Sequence, residues 1–157
     1  MLRQLARRLL ACDLTELPGL DDLHRPSGPI AAAQRLAAEL YGAGVTFFLV
    51  NGSTVGLQAL MLGLLRPGDR VLLPRHIHRA VVGGLILAGA DPVFVEDEPV
   101  PGFGIPAGPA TGAVVREIVT STPRAVLVLH PNYYGIAGEI APLAEAAHAA
   151  GAVLWAD

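Results

Sequence analysis

Phe47-Phe48-Leu49-Val50-Asn51-Gly52-Ser53-Thr54-Val55-Gly56 is the stretch on which the reading of this 157-residue chain turns. Thr46 to Val50 is a short run of β-branched, aromatic and apolar residues, the composition of a fully buried strand. Asn51-Gly52 breaks the run, and Ser53 or Thr54 then stands as N-cap to an apolar-rich helix reaching about Leu65. Strand, glycine turn and hydroxyl-capped helix present backbone N–H groups and two hydroxyls at one helix end. That combination suits an anion, most often a phosphate. The same residues also make an ordinary strand-to-helix turn with a good cap. No Gly-Lys-Ser/Thr follows, so this is not a P-loop, and the three-glycine spacing of a dinucleotide fingerprint is missing.

Outward from that stretch, the chain alternates. Toward the N-terminus, Ile30 to Tyr41 reads as a helix closed by Gly42 and Gly44. Before it, Thr15 to Ile30 holds two proline-containing turn clusters and reads as an extended arm. Met1 to Leu14 carries leucines at helical spacing between Arg3, Arg7 and Arg8, which predicts a small amphipathic helix. The apolar run before Cys12 is interrupted by arginines and too short for a signal segment. Toward the C-terminus, strands are expected at Val71–Leu73, Val93–Val95, Ala125–Leu129 and Ala152–Ala156. Helices are expected at Arg79–Ala88, Thr111–Thr120 and from Ala141 to Gly151, and Glu96 to Gly112 reads as a surface excursion. Strands separated by helices predict an α/β fold with a mainly parallel sheet and helices on both faces.

Composition agrees. The chain is 52% apolar but only 5% aromatic, as suits a sheet buried on both faces. A formal charge of −3 gives no reason to expect nucleic acid or an anionic membrane as partner. Cys12 is the only cysteine, which precludes an internal disulfide and fits a cytoplasmic setting. All eleven basic Lys+Arg residues are arginines.

In open α/β sheets ligands sit beyond the carboxyl ends of the strands. Four polar clusters are expected there: Ser53 and Thr54; Arg75-His76-Ile77-His78; His130-Pro131-Asn132-Tyr133-Tyr134-Gly135; and Asp157. Each alone has an ordinary explanation as a solvated loop, a turn or a cap.

Taken together, these motifs resemble the ornithine/lysine/arginine decarboxylases, pyridoxal-phosphate enzymes of the aspartate-aminotransferase fold (fold type I). The likeness runs from Leu14-Thr15-Glu16-Leu17-Pro18-Gly19-Leu20-Asp21-Asp22-Leu23 through Asn51-Gly52-Ser53-Thr54-Val55-Gly56 and His76-Ile77-His78-Arg79. It continues through Pro131-Asn132-Tyr133-Tyr134-Gly135 to Trp155-Ala156-Asp157. The resemblance implies that Gly52, Ser53 and Thr54 hold the cofactor phosphate, that His78 stacks on the pyridine ring, and that Asp157 pairs with the ring nitrogen. His130 stands where relatives often carry asparagine, and His130 and Asn132 are further candidate contacts. No metal is implied.

Two parts of the family pattern are absent: the Pro-Gly-His-Lys stretch near the usual N-terminus, and everything after the aspartate, including the aldimine lysine. Residues 1–30 are therefore expected to form an N-terminal helix and arm, and 31–157 a truncated cofactor-binding large domain. No catalytic residue is expected within the chain, which should be inactive alone because it has no lysine. The substrate implied is a basic amino acid, and the full-length family implies a homo-oligomer. The alternatives are an aminotransferase of the same fold, or a non-catalytic binding or assembly protein that kept the fold. A sheet ending at Asp157 is expected to leave apolar surface bare and the isolated chain prone to aggregate.

Overall fold

The computed structural model describes residues 2–14, 17 and 19–157, and its chain divides into two compact units, Met1–Val50 and Asn51–Asp157.

In the first unit, α1 (Leu2–Ala11) follows the expected leucine spacing, and α2 (Pro29–Tyr41) starts with proline in its first turn. The segment before α2 is more organised than an extended arm. The Asp21 carboxylate accepts backbone N–H bonds from Asp22, Ser27, Gly28, Ile30 and Ala31, at 2.8–3.2 Å. A side chain eight residues ahead of Pro29 thus satisfies N–H groups at the start of α2, which the Gly28 N-cap position has no side chain to satisfy. Thr15, Glu16 and Pro18 of the decarboxylase-like stretch lie outside the described residues.

The expected strand at Thr46–Val50 does not form. These residues join no ladder, and Phe47 and Val50 are 72% and 74% exposed. A strand obtains its hydrogen bonds only from a neighbour, and no partner edge pairs with this run among the described residues.

The second unit opens with α3 (Gly52–Leu64) and a short turn into β1 (Arg70–Pro74). It continues with α4 (Arg79–Ala88), β2 (Asp91–Val95) and a hairpin of β3 (Glu98–Pro99) with β4 (Pro106–Gly108). The Glu96–Gly112 excursion therefore carries a small antiparallel ladder. Then come α5 (Thr111–Ser121), β5 (Ala125–Val128), α6 (Ala141–Ala149) and β6 (Val153–Ala156).

The main sheet has the order β2-β1-β5-β6 with every neighbouring pair parallel. Alternation along the strands separates two cores. Val71, Leu73, Ala125, Leu127 and Trp155 face Met61 of α3 and Val81 and Leu85 of α4. Leu72, Val95 and Val126 face Val114 and Ile118 of α5 and Leu143 and Ala147 of α6. Helices thus cover both faces, and β1 and β5 are buried nearly throughout. The β1–α4–β2 connection leads one way along the sheet and β5–α6–β6 the other. The reversal places a switch point between the carboxyl ends of β1 and β5, where such sheets bind ligands.

Close packing of α3 on α4 depends on glycine. A Cβ on Gly84 would stand 2.4 Å from the Met61 sulfur, and Met61 is fully buried. Among the described residues no helix is long and apolar enough to cross a membrane.

Candidate functional site

The segments that leave β1, β5 and β6 meet at the carboxyl edge of the sheet. There His76, His78, Asn132, Tyr133, Tyr134 and Asp157 line one pocket of about 910 Å³, counting its open mouth. Backbone bonds hold the floor together. The Asp157 N–H donates to the Val128 carbonyl at 3.0 Å, and the His130 N–H donates to the Asp157 carbonyl at 2.9 Å. These continue the β5–β6 ladder past its last residues and fix the aspartate beside the 130–134 loop.

His78 is the N-cap of α4. Its Nδ1 accepts the Ala80 N–H at 3.1 Å, so the neutral ring carries its proton on Nε2 and its plane is set by the helix end. The local reason is backbone geometry: His78 is extended, with φ −68° and ψ 146°, while Arg79 is already helical.

His76, two residues earlier, is held differently. Its Nδ1 lies 2.7 Å from Asp97 Oδ2, and the same oxygen accepts the His76 backbone N–H at 3.2 Å. The Asp97 side chain is only 6% exposed, whereas that of His76 is 60% exposed. Next to this pair, the Arg75 guanidinium sits 3.7 Å from Glu96 and over the Phe94 ring.

Asn132 shapes the loop. Its Oδ1 accepts the N–H groups of Tyr134 and Ile136, and its Nδ2 donates to the Pro106 carbonyl of β4. The amide is thereby committed to tying this turn to the hairpin. His130 is exposed and lines an adjoining apolar cavity between the sheet and the α5–α6 layer, together with Asp97, Val126 and Leu143.

The helix end of the opening motif is built otherwise than expected. Asn51, not Ser53 or Thr54, holds the N-cap position, and it makes no side-chain capping bond. Gly52 takes φ 75°, a conformation that strains any other residue, and puts Ser53 and Thr54 in the first turn. All three are exposed and are not among the residues lining the His78 pocket. Gln58 of α3 lies beside Gly83 and Gly84 of α4, and Pro67 beyond α3 lies beside Gly89, so the two helices run the same way and the α3 N-terminus is at the end of the layer where His78 starts α4.

Comparison with known proteins decides the family. The model of the Orn/Lys/Arg decarboxylase major domain matches residues 5–157. The Bacillus subtilis protein YaaO is 39% identical over 151 residues, which cover 95% of this chain and 31% of that protein. An arginine decarboxylase of Bacillus cereus is 36% identical over 140 residues, covering 88% of this chain and 30% of the relative. The chain belongs to the Orn/Lys/Arg decarboxylase family. It spans about three-tenths of the length of these relatives. Its fold is that of N-succinyldiaminopimelate aminotransferase from Mycobacterium tuberculosis, with a TM-score of 0.70 at 25% identity over 98% of this chain and 40% of that one. The chain thus has the α/β fold of the fold type I pyridoxal-phosphate-dependent enzymes, with its parallel four-stranded sheet and helix layers.

The residues that sequence reasoning left unassigned are His76 and Asp97. The signal for Asp97 was its place two residues past the end of β2, at the same carboxyl edge as the named clusters. Pairing it with His76 required knowing that β2 lies beside β1.

Proposed function

We propose that this chain supplies the cofactor-binding part of a decarboxylase acting on a basic amino acid, ornithine, lysine or arginine, with pyridoxal phosphate as cofactor. The observation that carries the reading is that His78 and Asp157, far apart in sequence, line one pocket at the carboxyl edge of the sheet.

The residues there suit the group. The His78 ring, its plane set by the Ala80 N–H, offers a flat face for a pyridine ring. The Asp157 carboxylate suits the ring nitrogen: an adjacent negative charge favours the protonated nitrogen. Bound in this way, pyridoxal phosphate supplies an electron sink for loss of carbon dioxide. The exposed hydroxyls of Ser53 and Thr54 and the uncapped N–H groups from Gly52 onward suit a phosphate. Asn132 lines the pocket and shapes its loop, and His130 lines the adjoining cavity. Within this reading residues 1–30 are an N-terminal helix and arm and 31–157 a partial cofactor-binding large domain. Exposed Leu62, Ile86 and Leu87 on α3 and α4 favour a homo-oligomer.

The sequence contains no lysine, and arginine stays protonated, so these residues hold the cofactor non-covalently. The test is a titration with pyridoxal phosphate followed by absorbance, then borohydride reduction and intact mass. Saturable binding weakened by His78→Ala and by Asp157→Asn is expected, with no phosphopyridoxyl adduct on any side chain. Absence of saturable binding, or binding indifferent to both substitutions, overturns the reading.

A further inference from the structure

Two histidines line the pocket, and the structure gives them opposite roles. His78 Nδ1 accepts a backbone N–H, so its neutral ring shows the pocket an Nε2–H donor. His76 Nδ1 lies on the Asp97 carboxylate, so its neutral ring carries the proton on Nδ1 and leaves Nε2 as an acceptor. Among the described residues Nε2 of His76 has no hydrogen-bond partner.

We propose that His76 is the proton-exchanging residue of this pocket and that Asp97 positions it. Resting on the reading above, the inference adds the group that takes the proton from the ammonium of an amino-acid ligand, which must become a free amine before it can act as a nucleophile. In that step the ligand N–H bond breaks and an N–H bond to Nε2 forms. The positive charge passes from the ligand nitrogen to the imidazolium, beside the carboxylate. On release the proton returns by the same route.

The other ionisable groups facing the pocket serve less well. Neutral His78 already carries its proton on the free nitrogen. Tyr133 and Tyr134 contribute only phenolic hydroxyls to the pocket. Asp157 is engaged, in the reading above, with the pyridine ring nitrogen. Of the neighbouring charges, Arg75 is paired with Glu96, while His130 and Glu139 line the adjoining cavity. Asp97 receives both the ring nitrogen and the backbone N–H of His76, an arrangement that fixes tautomer and ring orientation together.

The experiment uses the full chain with nitrogen-labelled histidine, its imidazole signals assigned by His76→Gln and His78→Gln. Long-range proton–nitrogen spectra are recorded free, with pyridoxal phosphate, and after L-arginine is added at mildly alkaline pH. In the free chain His76 is expected as the Nδ1–H form and His78 as the Nε2–H form. Pyridoxal phosphate should move the His78 signals, and L-arginine should then shift His76 Nε2 upfield as its lone pair receives the ligand's N–H. Asp97→Asn should abolish the Nδ1–H preference and that upfield shift, with the far-ultraviolet circular dichroism unchanged. If His78 responds and His76 does not, His76 is not the proton carrier while the pocket reading stands. If neither responds, both fall. If Asp97→Asn leaves the His76 tautomer as it was, Asp97 is not the positioning residue.

Discussion

Thr46–Val50 and Ala125–Val128 carry nearly the same local signal, a short run of apolar and β-branched residues between turn formers. Ala125–Val128 is β5, paired on both sides and buried. Thr46–Val50 is unpaired, with Phe47 72% exposed. The difference teaches that strand composition is only a licence. What makes the strand is a pair of edges to bond to and two faces to fill, and β5 has β1, β6 and both helix layers.

The largest effect expected from that contrast is at β5. Leu127 is 1% exposed in the core against α3 and α4, so Leu127→Ala should cost about 2–5 kcal/mol in a denaturant melt. Phe47→Ala, at an exposed and unpaired position, should change stability by no more than about 0.5 kcal/mol. Equal costs for the two would show that the Thr46–Val50 run is packed in solution after all.

Next in size is the contact that builds one of those helix layers. Gly84→Val puts a branched side chain where a Cβ would already stand 2.4 Å from the buried Met61 sulfur. It should cost about 1–3 kcal/mol by overpacking. Gly84→Val should cost less in a Met61→Ala background than in the native chain, because the atoms in the way are gone. An equal cost in both backgrounds would place the strain elsewhere than the α3–α4 contact.

The contrast also marks what was legible in the sequence. The parallel α/β class, the helices at 79–88 and 111–121 and the buried strands 125–128 and 153–156 follow from periodicity and from turn residues, both local signals. Thr46–Val50 misled because pairing is not local. The Asn51 N-cap differed from the expected Ser53 or Thr54 because glycine at 52, with φ 75°, already turned the chain into the helix one residue earlier. The candidate site divides along the same line. His78 and Asp157 were legible from motif and strand end, and strand order then brought them to one pocket. The Asp97 partner of His76 was not, since twenty-one residues separate them and only the β1–β2 pairing brings them together.

The smallest effect expected concerns Asp21, where a local reading also fell short. Five backbone N–H groups converge on its carboxylate, from residues 22, 27, 28, 30 and 31. The Ser27 N–H is the foremost cause that holds its pKa down at about 2, against an ordinary value of 3.8; partial burial opposes it, and the Ala31, Gly28 and Asp22 N–H groups add to it. The folded carboxyl therefore binds its proton less tightly than the unfolded one, so deprotonation favours the folded form. That contribution is complete above the unfolded value and is lost as pH falls from about 4 to about 2. Asp21→Asn keeps the side chain's shape but removes the charge, so it should flatten this part of the pH profile without moving the melt of the sheet. The measurement is the helical signal across that pH range in a chain ending after residue 50 and in the whole chain, each with and without the substitution. Because the bonds all lie between residues 21 and 31, the effect should be confined to the start of α2. A profile that Asp21→Asn leaves as steep as before would mean that another carboxylate carries the acid transition and that the Asp21 cluster orders the loop without setting its pH response.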